Sequence, residues 1–443
     1  MSAYTLVIAA SVLVILSYFF NLLSKKINVP SVLMLIVSGV IIKQAMNYFE
    51  VGRIDWFPYL EILGIVGLIM IVLEAALDLK LEKEKMPLIG KSALIALIGL
   101  VVSAFVAAVI IHFLLPGKFT WIQSMIYAVP LSILSSAIII PSVGSLPQKK
   151  KEFSIYESTF SDILGIMLFY FLISLAGPGS SGDAVGGFFI SLIVTIVVSV
   201  IASYALVYIF QNVTTQVKTF LLIAVLILLY AIGKQFHLSS LIIILVFGLV
   251  ISNSNIFFPG FLKRTLKAES VKTLFHELHI VTAETAFIVR TFFFIIFGIT
   301  LVLSSLLSIK VILISALILL SIYGIRFVIF QLFLGKDIYP EVYLAPRGLI
   351  TVLLFFAIPR EFAIEGFDNG ILLFVIIATS LVMTWAMIRA SSKEVDEEVL
   401  EMLAATDDET NATIEVAGED SGASHEGSAK SADSEAEEDI SRD

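Results

Sequence analysis

The chain has 443 residues, of which 58% are hydrophobic and only 15% charged, with a mean hydropathy of +1.01. Its length would suit two soluble domains, but that composition excludes a soluble fold for most of the chain, and the lack of cysteine excludes disulfide and thiolate chemistry. The net charge of -9 conceals a split: residues 394–443 hold 18 acids against Lys430 and Arg442, so the rest of the chain is net positive.

The first run, MSAYTLVIAASVLVILSYFF, has no basic leader and no clear cleavage site, and reads as a retained span. A membrane helix takes about 20 mostly apolar residues. Thirteen stretches qualify: 3–23, 29–48, 57–77, 88–114, 122–146, 153–175, 185–211, 217–233, 239–255, 280–303, 309–334, 342–359 and 368–390. The expected fold class is an all-α polytopic membrane protein of about 13 transmembrane helices, since the stretches are too long for barrel strands and lack their alternation. The expected domains are a transmembrane part, 1–390, and an acidic tail, 391–443, without aromatic residues and therefore disordered.

Lysine and arginine collect in the joins after odd-numbered stretches: Lys25 and Lys26; Lys80, Lys83 and Lys85; Lys149 to Lys151; Lys218; Lys263, Arg264, Lys267 and Lys272; and Lys336. Positive charge stays cytoplasmic, which places the N-terminus outside and the tail inside. The join from Ser252 to Leu278 carries FLKRTLKAESVKTLFHEL, bases and apolar residues at helical spacing, and reads either as a helix along the interface or as a plain loop.

Asp162 lies inside the sixth stretch, in SIYESTFSDILGIMLFYFLI. An ionisable group there costs about 2.5–3.5 kcal/mol on insertion scales, and such groups serve ion or substrate handling. One carboxylate holds a proton or a partly dehydrated alkali cation, not both. Ser158, four residues earlier on the same face, and Ser161 offer hydroxyl oxygens to complete a shell around that cation. Glu157 and Arg326 are each stranded in apolar sequence and are expected to pair. Arg347 stands between Pro346 and Gly348, which can interrupt a helix. Glu284 and Arg290 have badly offset faces, so each is expected to bond to another span. Glu74 is read as a candidate wall of an entrance funnel, and Asp78 as a solvated cap. The five histidines form no ligand cluster, and no metal motif, phosphate-binding glycine loop or nucleic-acid patch appears, so no cofactor, nucleic-acid partner or enzymatic activity is expected.

These residues resemble the monovalent cation:proton antiporters, in particular the NhaP-type branch of sodium/proton exchangers. The resemblance covers roughly residues 5–390. It rests on VPSVLMLIVSGVII, on ESTFSD against the family's E-S-x-x-N-D, on AETAFIVRTFFFIIFG and on APRGLITVLLFFAI. It implies an NhaA-like fold with inverted repeats and two broken helices, a homodimer and alternating access. It carries the ion- and proton-binding aspartate to Asp162, the paired glutamate to Glu157, and the associated charges to Arg326, Arg347 and Glu284. Two departures stand out: Ser161 replaces the asparagine, and ILSSAIIIPSVGSL lacks the usual Thr-Asp-Pro, leaving Ser135, Ser136 and Pro141 to supply oxygens and a break. The expected function is exchange of Na+, or alternatively K+ or Li+, for protons, in pH homeostasis at a prokaryotic plasma (inner) membrane. With a single acid, exchange would be electroneutral. A cation channel and a non-transporting membrane sensor are the alternatives.

Overall fold

A span in lipid satisfies every backbone N–H and C=O internally, which makes long apolar runs helical. The computed structural model follows that rule; it describes residues 3–27, 30–49, 56–115, 117, 119–177, 181–211, 213, 218–235, 240–257, 268–301 and 303–390. Among these, no strand occurs, and nine helices are long and apolar enough to cross a membrane, with two shorter apolar helices beside them. The principal helices are α1 (Ala3–Ile27), α2 (Ser31–Tyr48), α3 (Phe57–Asp78), α4 (Met86–Leu114), α5 (Trp121–Ser132), α6 (Ser136–Ser142), α7 (Gln148–Ala176), α8 (Ser181–Phe210), α9 (Lys218–Gln235), α10 (Ser240–Ser252), α11 (Ala268–Thr300), α12 (Ile309–Phe333), α13 (Leu349–Phe356) and α14 (Gly370–Ala390). All thirteen expected stretches contain helix, with ends shifted by several residues. The tail and the bases Lys263, Arg264 and Lys267 lie outside the described residues.

The join expected to be a separate interfacial helix or a loop differs where it is described. From Ala268 onward it is the start of α11, which runs unbroken to Thr300. Alternating Lys272, Phe275, His276 and Leu278 suit the mouth of a long span as well as they suit an interface.

Two stretches break. Between α5 and α6, Ile133 to Ser135 is extended, and before α13 residues 344–348 carry no helix. The two non-helical segments cross: Ser135 N–H donates to Pro346 O at 3.0 Å. Glycine permits this approach. A Cβ on Gly348 would strike Ser135 Oγ, and one on Gly165 of α7 would strike the Ile133 side chain. Pro141 contributes inside α6, because it has no N–H to donate to Ala137 O four residues back.

Packing sorts the helices into two sets. α4 packs on α5, α7 and α12, and α5 also on α7 and α13. In the other set α11 packs on α2 and α3, and α10 on α3, α8 and α9. α6 touches α7 of the first set and α1 and α3 of the second. Lys85 Nζ lies 3.0 Å from Glu152, and Lys150 Nζ 2.6 Å from Asp337. The lysine-bearing joins after the third, fifth and eleventh stretches therefore meet at one end of the molecule.

Candidate ion site

Helix α7 presents Glu157, Ser158, Ser161 and Asp162 to the protein interior, none more than 3% exposed. Asp162 meets the start of α6: Ser136 N–H donates to Asp162 Oδ2 at 3.2 Å. First-turn N–H groups have no intrahelical acceptor, so the break in the helix is what frees this donor. Asp162 Oδ1 is buried with no hydrogen-bond partner among the described residues. Ser161 Oγ accepts from Leu134 N–H at 3.0 Å, pinning the extended segment to α7. Ser158 Oγ donates to Ile155 O at 3.1 Å, which occupies its proton and leaves its lone pairs available. Ser135 is buried at the chain crossing, against Gly348.

Arg347 closes the other side of the break. It is 1% exposed. Its Nε donates to Leu131 O at 2.7 Å, and Nη1 to Ala345 O at 2.9 Å. Leu131 is in the last turn of α5, whose carbonyls lack intrahelical donors, so the guanidinium caps that terminus and suits its negative dipole end. Thr379 Oγ1 of α14 accepts from Arg347 N–H at 3.1 Å.

Arg326 forms a fork on Glu157, with Nη1 to Oε1 at 2.7 Å and Nη2 to Oε2 at 3.2 Å. Its remaining donors reach Val342 O at 3.1 Å and Glu341 O at 2.8 Å, and the guanidinium carbon sits 4.5 Å from the centre of the Phe330 ring. Both charges are thus answered within the protein. The short turn that supplies these carbonyls carries Glu341, whose carboxyl is pushed up by burial, with Lys150 nearby pulling the other way.

A cavity of about 270 Å3 reaches Ser136, whose N–H meets Asp162. Ser17 and Asn21 of α1, Glu74 and Asp78 of α3, Ser136 and Ala137 of α6, and Arg290 and Thr291 of α11 contribute to its walls. Two cross-helix pairs join α3 to α11: Arg290 Nη2 with Glu74 Oε2 at 3.0 Å, both on the wall, and His279 Nε2 with Asp78 Oδ1 at 2.7 Å, of which Asp78 is on the wall. Glu74 is therefore on the wall, as its position suggested, and Asp78 is bound to a histidine rather than simply solvated. Arg290 and His279 are eleven residues apart, about three helical turns, and so share a face of α11; that spacing is the one sequence signal that both reach the same neighbouring helix. Glu284 does not join the site. It is exposed, between exposed Ile280 and Ile288 on another face of α11. No group of three or more metal-ligating side chains occurs among the described residues.

One side of the break thus gives an N–H to a buried aspartate, and the other is capped by a buried arginine. The family model described as "Sodium/hydrogen exchanger, transmembrane" matches residues 10–389. The chain belongs to the sodium/hydrogen exchanger family. It is an integral membrane protein of that family. The same fold occurs in the sodium proton antiporter MjNhaP1 of Methanocaldococcus jannaschii. One structure of that protein, at pH 8, matches with a TM-score of 0.65 at 16% identity, over 88% of this chain and all of that one. Another, from an electron-microscopy map, gives 0.59 at 19%, over 88% and 96%. No curated sequence matches the chain.

Proposed function

We propose that this protein exchanges a monovalent cation for a proton, with Asp162 holding one or the other in turn. The observation that carries the reading is the inequality of the two Asp162 oxygens. Oδ2 has the Ser136 N–H, while Oδ1 is buried and bare. A buried charged oxygen without a partner is costly. A proton on Oδ1 removes that cost, and so does a small cation beside it. Oxygens of Ser158, Ser161, Ser135 and Ser136 are the candidates to complete the cation's shell; hard oxygen donors suit Na+, and K+ or Li+ are the alternatives. Membership of the exchanger family supports sodium and protons as cargo.

The residue beside Asp162 is neutral Ser161, so one site carries one charge in each direction and exchange is electroneutral. The lysine-bearing end faces the cytoplasm and the N-terminus lies outside. The protein works as a homodimer in a prokaryotic plasma membrane, in pH homeostasis, by alternating access. The test is cation-driven proton flux in proteoliposomes with Na+, K+ and Li+ supplied separately. Wild type is expected to exchange and Asp162→Asn to be silent with every cation. Equal flux from the two would remove Asp162 from the mechanism.

A further inference from the structure

The approach to Asp162 contains a positive charge of the protein's own. Arg290 lines the same cavity as Ser136, whose N–H holds Asp162. Its guanidinium is held at two points on different helices. Nη2 binds Glu74 of α3 at 3.0 Å. Nη1 reaches Ala137 O of α6 at 3.4 Å. That carbonyl is free because Pro141, four residues on, has no N–H to give it. The third donor, Nε, is buried without a partner, so these two contacts are what fix the group.

We propose that Arg290 is a built-in competitor of the transported cation: it occupies Glu74 and the free α6 carbonyl, two oxygens that an ion on its way to Asp162 would otherwise meet, and so sets how tightly the cation is taken from this side. This rests on the exchange reading above. A cation entering the cavity finds Glu74 already neutralised and a guanidinium close to the first turn of α6. Both effects weaken cation uptake. The guanidinium acts by its place and charge, and the titratable groups beside it are Glu74 and Asp78 of α3 and His279 of α11. Its contribution is separable from that of Asp162 by substitution.

The test measures cation-driven proton flux across a pH series in proteoliposomes, for wild type, Asp162→Asn, Arg290→Gln, Arg290→Lys, Glu74→Gln and the Glu74→Gln/Arg290→Gln double variant. Arg290→Gln frees Glu74, and the apparent cation KM is expected to fall about fivefold at the alkaline end of the series, with kcat little changed. Glu74→Gln leaves the guanidinium unopposed and raises KM. The double variant returns close to wild type, and Arg290→Lys stays close to it. An Arg290→Gln KM equal to or above wild type would overturn the proposal. If that variant does not insert, Glu74→Gln decides alone, and an unchanged KM overturns it equally. Wild-type flux no greater than that of Asp162→Asn would instead overturn the exchange reading, so the two failures are distinguishable.

Discussion

Glu157 and Asp162 lie five residues apart on α7, and both are buried, at 3% and 2% exposure. Glu157 has both oxygens on the Arg326 fork. Asp162 has one backbone N–H and one bare oxygen. The two acids share a helix, a depth and a charge, and differ in whether the protein itself completes the partner set. Where it does, the carboxylate is held on both oxygens. Where it does not, the bare oxygen is the one the proposed exchange assigns to a proton or a cation. The same contrast holds between the arginines: Arg326 answers a carboxylate, while Arg347 answers the carbonyls that a broken helix exposes.

The largest break in this comparison is Asp162→Asn, which keeps size and hydrogen-bonding capacity but removes the charge. Folding is expected to survive and exchange to vanish. In wild type, raising proton concentration should raise the apparent cation KM without lowering kcat, since both ligands claim one carboxylate. A kcat that falls while KM stays fixed would place proton binding elsewhere.

Glu157→Gln or Arg326→Met strands the remaining member of a buried pair, at about 3–5 kcal/mol. Thermal stability in detergent is expected to fall in each, by more than cation affinity does. The double variant should recover part of that loss, and a mutant cycle with no coupling energy would show that the fork contributes nothing.

Much of this was legible in the sequence, for a physical reason. Lipid leaves the backbone no option but the helix, so apolar length alone located the helices. Glu157 and Arg326 were legible as a pair because each would otherwise be an unanswered charge. Pro346 and Gly348 marked the second break. The Glu74–Arg290 and Asp78–His279 pairs, which join α3 to α11, were not. Hydropathy does not fix a membrane helix's rotation when its lipid face and its packed face are both apolar. That is why Glu284 could be set beside the family's acidic segment while α11 turns it outward and turns Arg290 in.

The chain crossing is the next test. A methyl on Gly348 would meet Ser135 Oγ and approach Ile138 Cδ1 at 3.0 Å. Gly348→Ala must therefore push the two non-helical segments apart, at about 1–3 kcal/mol, as overpacking does. Ser136 moves with that segment, so exchange is expected to fall further than melting temperature. A variant with lowered stability but normal KM and kcat would mean that the crossing does not position the Asp162 donor.

The smallest effect on stability is expected from Ser158→Ala, and it separates the two kinds of buried polar group most finely. The Ser158 hydroxyl gives its proton to Ile155 O within α7. Back-bonding of this kind adds little to a helix, and removing it strands no other side chain. Melting temperature should therefore stay near wild type. The oxygen lone pairs, however, lie one turn from Asp162 and are among the few that can serve a cation there. Loss of that ligand is expected to raise the apparent cation KM severalfold and to alter the ratio between Na+ and K+ or Li+, while proton competition persists because Asp162 is intact. A KM and cation ratio both unchanged would remove Ser158 from the shell and leave the Ser135, Ser136 and Ser161 oxygens, gathered at the break in the helix, as the ones that accompany Asp162.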